Sequence, residues 1–204
     1  MQTIANLIGR GGPVMWPLLF CSLLSLTVSL ERLLFWMRQK KEPKTAAQLF
    51  ELTENGRFTE AADVAAHSRD ATARILLAGL QNREHGFSEG MEVAADEEIA
   101  RQRRGLGVLD TIITLSPLLG IFGTVIGIIA SFDILGQRGI TDPRGVTSGI
   151  AQALVTTAAG LAIALVTLIF FNAFRARVES SARRFSQIGT QFEVAYKRGK
   201  EHES

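Results

Sequence analysis

The stretch TIITLSPLLGIFGTVIGIIASF, residues 111–132, contains no Asp, Glu, Lys or Arg. Its 22 residues exceed the roughly 20 a helix needs to cross a hydrocarbon core about 30 Å thick. Residues 11–30 and 145–174 are equally free of charge, in runs of 20 and 30 residues. The chain has 204 residues, of which 21% are charged, yet its mean hydropathy is +0.18. Its charges are therefore segregated from the apolar runs. Three such runs exclude a soluble enzyme, a disordered chain and a nucleic-acid binder. The expected fold is an all-α integral membrane protein with three transmembrane helices.

Basic residues flanking the spans give the orientation, because Lys and Arg stay cytoplasmic. The N-terminal segment 1–12 has only Arg10, the connection 37–106 has eleven basic residues, the connection 134–147 has two, and the tail 175–204 has seven. The expected order is a periplasmic segment 1–12, span one over 13–36, a cytoplasmic loop 37–106 and span two over 107–133. A periplasmic loop 134–147, span three over 148–174 and a cytoplasmic tail 175–204 follow. With one basic residue before span one and Glu31-Arg32 after it, the first run reads as a retained anchor rather than a cleaved signal peptide. The single cysteine, Cys21, lies inside that run and allows no intrachain disulfide or cysteine metal site.

The large loop reads as helical, with Ala-rich stretches near 45–55, 58–68 and 70–83 punctuated by Pro43, Asn55-Gly56 and Gly86. From Ser88 a run that starts with acids and ends with Arg101–Arg104 suits a helix dipole. It is expected to continue into span two without a break. In the tail, Phe174, Val178, Phe185, Ile188 and Phe192 recur near a helical period. Long cytoplasmic helical extensions are therefore expected.

Span one is mostly Leu, Phe, Val and Ser, as suits lipid contact. Span two carries Ser116, Gly120, Gly123, Thr124, Gly127 and Ser131 on one face. Span three carries Gly149, Ala153, Thr156, Thr157, Gly160 and Ala164. Small residues let helix backbones approach closely in lipid, so Gly120, Gly123, Gly127, Gly149 and Gly160 read as packing positions. These stripes are expected to line a central axis. Gly127 and Ala164 would then meet neighbouring protomers, with Leu24 of span one outside. Thr124 lies about 12 Å below the outer boundary and Thr157 about 9 Å, at 1.5 Å per residue. At that common depth several copies would form a polar ring. Thr156 is the alternative, since it lies about 40° from Gln152 around the helix and Thr157 about 140°. Asp110 and Asp133 read as interfacial, Gln152 as an interhelical hydrogen-bonding group. Glu31-Arg32 is expected to snorkel or to pair across chains. His67, His85 and His202 fall in hydrophilic segments. No metal-spaced cluster, nucleophile–His–acid set or phosphate loop is present, so neither an enzyme, a cofactor nor a metal is expected.

Residues 116–128, SPLLGIFGTVIGI, resemble the second-span signature of the MotA/TolQ/ExbB proton-channel family. Residues 149–161, GIAQALVTTAAGL, resemble its third, Phe171-Asn172 matches the end of that span, and GGPVM at 11–15 with ERL at 31–33 matches the first. Three spans favour the ExbB/TolQ branch. The resemblance implies a pentameric homo-oligomer in the inner membrane around a dimeric, single-span ExbD- or TolR-like partner. Proton flow would drive work on a periplasmic TonB-like protein, with membrane lipids around the ring and no nucleic acid involved. The family's pore threonines map onto Thr124 and Thr157, its third-span glutamate falls at Gln152, and a later proline at Val166. A TolQ-like motor for envelope maintenance is the alternative within the family, and a non-conducting membrane scaffold the alternative outside it. Since spans two and three have no Asp, Glu, His, Lys or Arg between Asp110 and Asp133 or between Arg144 and Arg175, the chain alone is not expected to carry protons.

Overall fold

The computed structural model describes residues 11–39, 43–84, 86–138 and 143–203. Arg10, His85 and the middle of the second connection, 139–142, lie outside the described residues, as does the side chain of His202. The described residues form helices and no strand. In chain order these are α1 (Met15–Arg38), α2 (Pro43–Glu54), α3 (Phe58–His67), α4 (Ala71–Gln81), α5 (Phe87–Arg103), α6 (Leu106–Arg138) and α7 (Pro143–Glu203). Among them, α1, α6 and the first part of α7 are long and apolar enough to cross a membrane. The chain divides into two units, one built of residues 1–33 and 105–174, the other of 34–104 and 175–204.

The first unit holds the three apolar helices. A small core joins Val14, Met15 and Leu18 at the start of α1 to Leu119 and Ile126 of α6 and to Ala159 and Ile163 of α7. Most other large side chains face outward, among them Trp16, Phe20, Leu23, Phe122, Leu154 and Ile169. In water such a surface would aggregate; in lipid it costs nothing. Pro117 sits inside α6 without ending it, a tolerance usual in membrane helices, where neighbouring groups satisfy the freed carbonyl.

In the second unit, α2 to α5 pack against the far part of α7. Its core joins Leu49, Phe58, Leu76, Leu80, Phe87 and Met91 to Phe185 and Phe192. The Phe87 ring stacks on Tyr196 at 4.1 Å and on Phe192 at 5.8 Å, while Phe50 meets Phe192 edge-on at 5.2 Å. Offset and edge-to-face pairs of this kind add about 0.5–1.5 kcal/mol beyond area burial. The turns are locally encoded. Gly56 takes φ +71° between α2 and α3, and the Asp70 carboxylate accepts from the Thr72 backbone N–H at the start of α4. Such an N-cap contributes about 1 kcal/mol. Glu98 is buried, paired with Arg74 at 2.7 Å and Arg101 at 3.5 Å.

The structure corrects two expectations. The helix rising from Ser88 does not run unbroken into span two, because it stops at Arg103 and a new one begins at Leu106. Gly105 makes that break at φ +81°, and a Cβ there would lie 3.1 Å from the Val28 side chain. A left-handed backbone packed this closely admits only glycine. Arg32 does not snorkel; it is 4% exposed. It donates to the exposed carboxylate of Glu31 in its own chain, at 2.8 and 2.5 Å.

Candidate functional site

The site is built where α6 and the membrane part of α7 approach through glycine. A Cβ on Gly160 would lie 2.4 Å from the Ser116 carbonyl and 3.1 Å from the Gly120 Cα. One on Gly127 would lie 2.8 Å from the Gly149 carbonyl, and one on Gly123 would strike the Thr156 side chain. Backbone therefore touches backbone. Gly127, Gly149, Gly160 and Ala164 are buried within one chain, where the two stripes close on each other. The reason is contact area, since two small-residue faces on adjacent antiparallel helices gain most van der Waals contact from each other. Leu24 of α1 is half-buried.

That close approach brings Thr124 and Thr157 together. Their hydroxyls hydrogen-bond to each other. Thr157 also donates to the Gly120 carbonyl at 2.9 Å, and Thr124 lies 3.2 Å from the same oxygen. Two hydroxyls have two protons. With Thr157 donating to Gly120 and Thr124 to Thr157, Thr124 keeps lone pairs to offer. Both residues are half-buried, so the pair lies at the edge of the α6–α7 seam. It can orient water or an incoming donor. It cannot release a proton near neutral pH.

Thr156 points elsewhere. It is fully buried and donates to the Gln152 carbonyl at 2.8 Å and to the Gly11 carbonyl at 3.0 Å. Gln152 goes with it, since a Cβ on Gly12 would lie 1.9 Å from Gln152 Nε2. Gly12, at φ +69°, leaves room for that amide. Together Thr156 and Gln152 pack on the turn that opens α1, and Ser131 ties the C-terminal part of α6 to the Val146 carbonyl at 3.1 Å. Asp110 and Asp133 are exposed at either end of the α6 span. Sequence reasoning missed Gly11 and Gly12 as neighbours of Thr156 and Gln152. It also missed Ser25, whose hydroxyl meets that of Thr167 at 2.7 Å. The spacing of Ser22, Ser25 and Ser29 along one face of α1 was the available signal. Among the described residues no group of three His, Cys, Asp or Glu is placed to hold a metal ion.

Residues 67–187, which include this seam, match the model of the MotA/TolQ/ExbB proton channel family. The chain belongs to that family. Within it, the putative ExbB-like 1 biopolymer transport protein of Synechocystis sp. is 37% identical over 196 residues, covering 92% of this chain and 77% of the relative. The biopolymer transport protein ExbB of Salmonella typhimurium is 28% identical over 195 residues, 87% of this chain and 78% of the relative. The Tol-Pal system protein TolQ of Pseudomonas aeruginosa is 36% identical over 109 residues, 53% of this chain and 47% of the relative. These similarities place the chain in the ExbB/TolQ branch of a family of proton channels and transport proteins rather than enzymes. The matched residues include 116–128 and 149–161, the two halves of the glycine seam.

Proposed function

We propose that this chain is an ExbB-like subunit of an inner-membrane proton channel and motor. Five copies form a ring around a dimeric single-span partner of the ExbD type, and proton flow through the ring is converted into mechanical work on a TonB-like periplasmic protein. The N-terminus is periplasmic, the loop 37–106 and the tail 175–204 are cytoplasmic, and the spans run over 13–36, 107–133 and 148–174. The observation that carries this reading is the hydroxyl pair of Thr124 and Thr157, held by the family's two signatures between helices without a charge in the membrane. Thr124 and Thr157 line the proton path. Thr156 and Gln152, drawn toward α1, shape its outer end. One charge crossing the membrane yields about 2.3 kcal/mol per 100 mV, enough to bias a step per proton.

A relay through the bilayer centre needs a titratable group. This chain has none between Asp110 and Asp133 or between Arg144 and Arg175, so the carboxylate is supplied by the partner's helix. Proton flux into liposomes under an imposed potential tests this directly. The complex co-purified with its single-span partner conducts and the chain alone does not; sustained flux from the chain alone would reject the division of labour. Similarity to TolQ over 109 residues supports a second reading, in which the same motor serves envelope maintenance. Deletion phenotypes separate the two, as failure of energised uptake marks the ExbB role and detergent sensitivity the TolQ role.

A further inference from the structure

Where the second unit meets the spans in the chain, its surface is made of arginine. Segments 36–39, 99–104 and 175–178 carry Arg38, Arg101, Arg103, Arg104, Arg175 and Arg177, and no Asp or Glu. All of these arginines are exposed. The Phe87 ring meets Phe192 and Tyr196 at one end of the α5–α7 pair, and Ile99 and Ala182 line one groove nearer the other. The two helices are therefore antiparallel, and Arg103 and Arg104 come near the level of Arg175 and Arg177. The Arg177 guanidinium lies over the Trp36 ring at 6.0 Å, which brings the end of α1, with Arg38, alongside.

Carboxylates of this chain meet only part of the charge. Arg101 reaches Glu98 at 3.5 Å and Arg175 pairs with Glu179 at 2.9 Å. Arg38, Arg103 and Arg104 have no acidic partner among the described residues. Distance along α7 selects the missing counter-charge. Arg175 and Arg177 stand about 1.5 and 4.5 Å beyond residue 174, at 1.5 Å per residue. The headgroup layer on each side of the hydrocarbon core is about 5–8 Å deep, so both lie among lipid phosphates. Arg183, about 13.5 Å out, is past that layer. Trp36 is half-buried at the same boundary, where amphipathic aromatic side chains collect. A guanidinium stays charged and grips phosphate oxygens through paired N–H groups. We infer that this arginine cluster seats the headgroups of anionic phospholipids against the chain. The inference rests on the spans proposed above. Phosphatidylcholine carries the same phosphate, but its choline cancels the charge, so the cluster discriminates against it.

Native mass spectrometry of the full chain co-purified with its single-span partner reads bound lipid directly. The complex is stripped of lipid in detergent and titrated with dioleoyl phosphatidylglycerol or dioleoyl phosphatidylcholine. Phosphatidylglycerol should bind at least about tenfold more tightly. Each arginine near an anionic surface contributes about fivefold, so Arg103→Gln/Arg104→Gln should lose about tenfold or more of that affinity and leave phosphatidylcholine binding unchanged. Arg183→Gln/Arg184→Gln removes the same charge beyond the layer and should lose less than about twofold. If the first variant does not assemble, Arg177→Gln should lose about fivefold. Equal binding of the two lipids, or equal losses in the two double variants, would overturn the inference. So would displacement of phosphatidylglycerol by millimolar inorganic phosphate, which would assign the cluster to a soluble anion. Lipid binding does not depend on conduction, so absent proton flux would reject the proposed function while leaving the headgroup contacts standing.

Discussion

Thr124 and Thr157, 33 residues apart in sequence, share one acceptor and each other: both hydroxyls reach the Gly120 carbonyl, at 3.2 and 2.9 Å, and they hydrogen-bond across the seam. The carbonyl is available to both because Gly120 and Gly160 let the two helices touch.

Replacing both threonines by valine keeps the shape and removes two hydroxyls. Each hydrogen bond contributes about 1 kcal/mol or less in a membrane protein, so the double variant should still assemble with its partner. Proton flux through the complex should fall by roughly tenfold or more, the equivalent of about 1.4 kcal/mol of lost stabilisation of the moving charge. Unchanged flux would reduce the pair to packing residues.

Gly160→Ala should disrupt the seam. Its Cβ would lie 2.4 Å from the Ser116 carbonyl, a backbone atom that cannot swing aside. Overpacking of this kind costs about 1–3 kcal/mol. A Cβ on Gly136 would meet nothing within 4 Å, so Gly136→Ala should instead gain up to about 1 kcal/mol of helix propensity. Thermal melts in detergent should move in opposite directions for the two variants.

In the second unit, Phe192→Ala should be the most damaging single change. The ring is fully buried and meets both Phe50 and Phe87. Deleting such a side chain costs about 3–5 kcal/mol, whereas Val194→Ala, at a 46% exposed position, should stay within about 0.5 kcal/mol. Limited proteolysis of membrane-embedded protein would report it as faster cleavage within 43–103.

Glu98→Ala leaves Arg74 without its buried partner. Arg74 is itself 40% exposed, so water recovers part of the loss and the cost should be about 1–3 kcal/mol, below that of a fully buried pair. Glu97→Ala on the exposed side of the same helix should be neutral within about 0.5 kcal/mol. Comparable melting temperatures for the two variants would contradict a structural role for the buried carboxylate.

The all-helical architecture and three membrane-length helices were legible without coordinates, because runs of 20, 22 and 30 uncharged residues have one low-cost backbone solution in lipid. The turns at Pro43, Asn55-Gly56 and Gly86 were equally legible, since proline and glycine act on their own backbone and need no neighbour. Period and depth also brought Thr124 and Thr157 to a common level, as rise per residue is a property of the helix alone.

Rotation about each helix axis, and the partner each face meets, could not be read this way. Thr156 and Thr157 are adjacent in the chain and chemically identical, yet one donates to Gly11 and the other to Gly120. That choice is made by how α7 rolls against α1 and α6, which depends on the sum of contacts along all three helices. The small-residue stripes show the same limit, since periodicity revealed them but not that each would close on the other. Arg32 shows it for charge: a basic residue at a span end is expected to reach for water, and only its packing beside Gly105 and its bond to Glu31 keep it buried. Helices, spans and family membership are written in the chain, because local propensity and the surrounding solvent suffice to fix them. Which hydroxyls meet is settled only in the folded molecule, because it follows from packing among residues far apart in the chain.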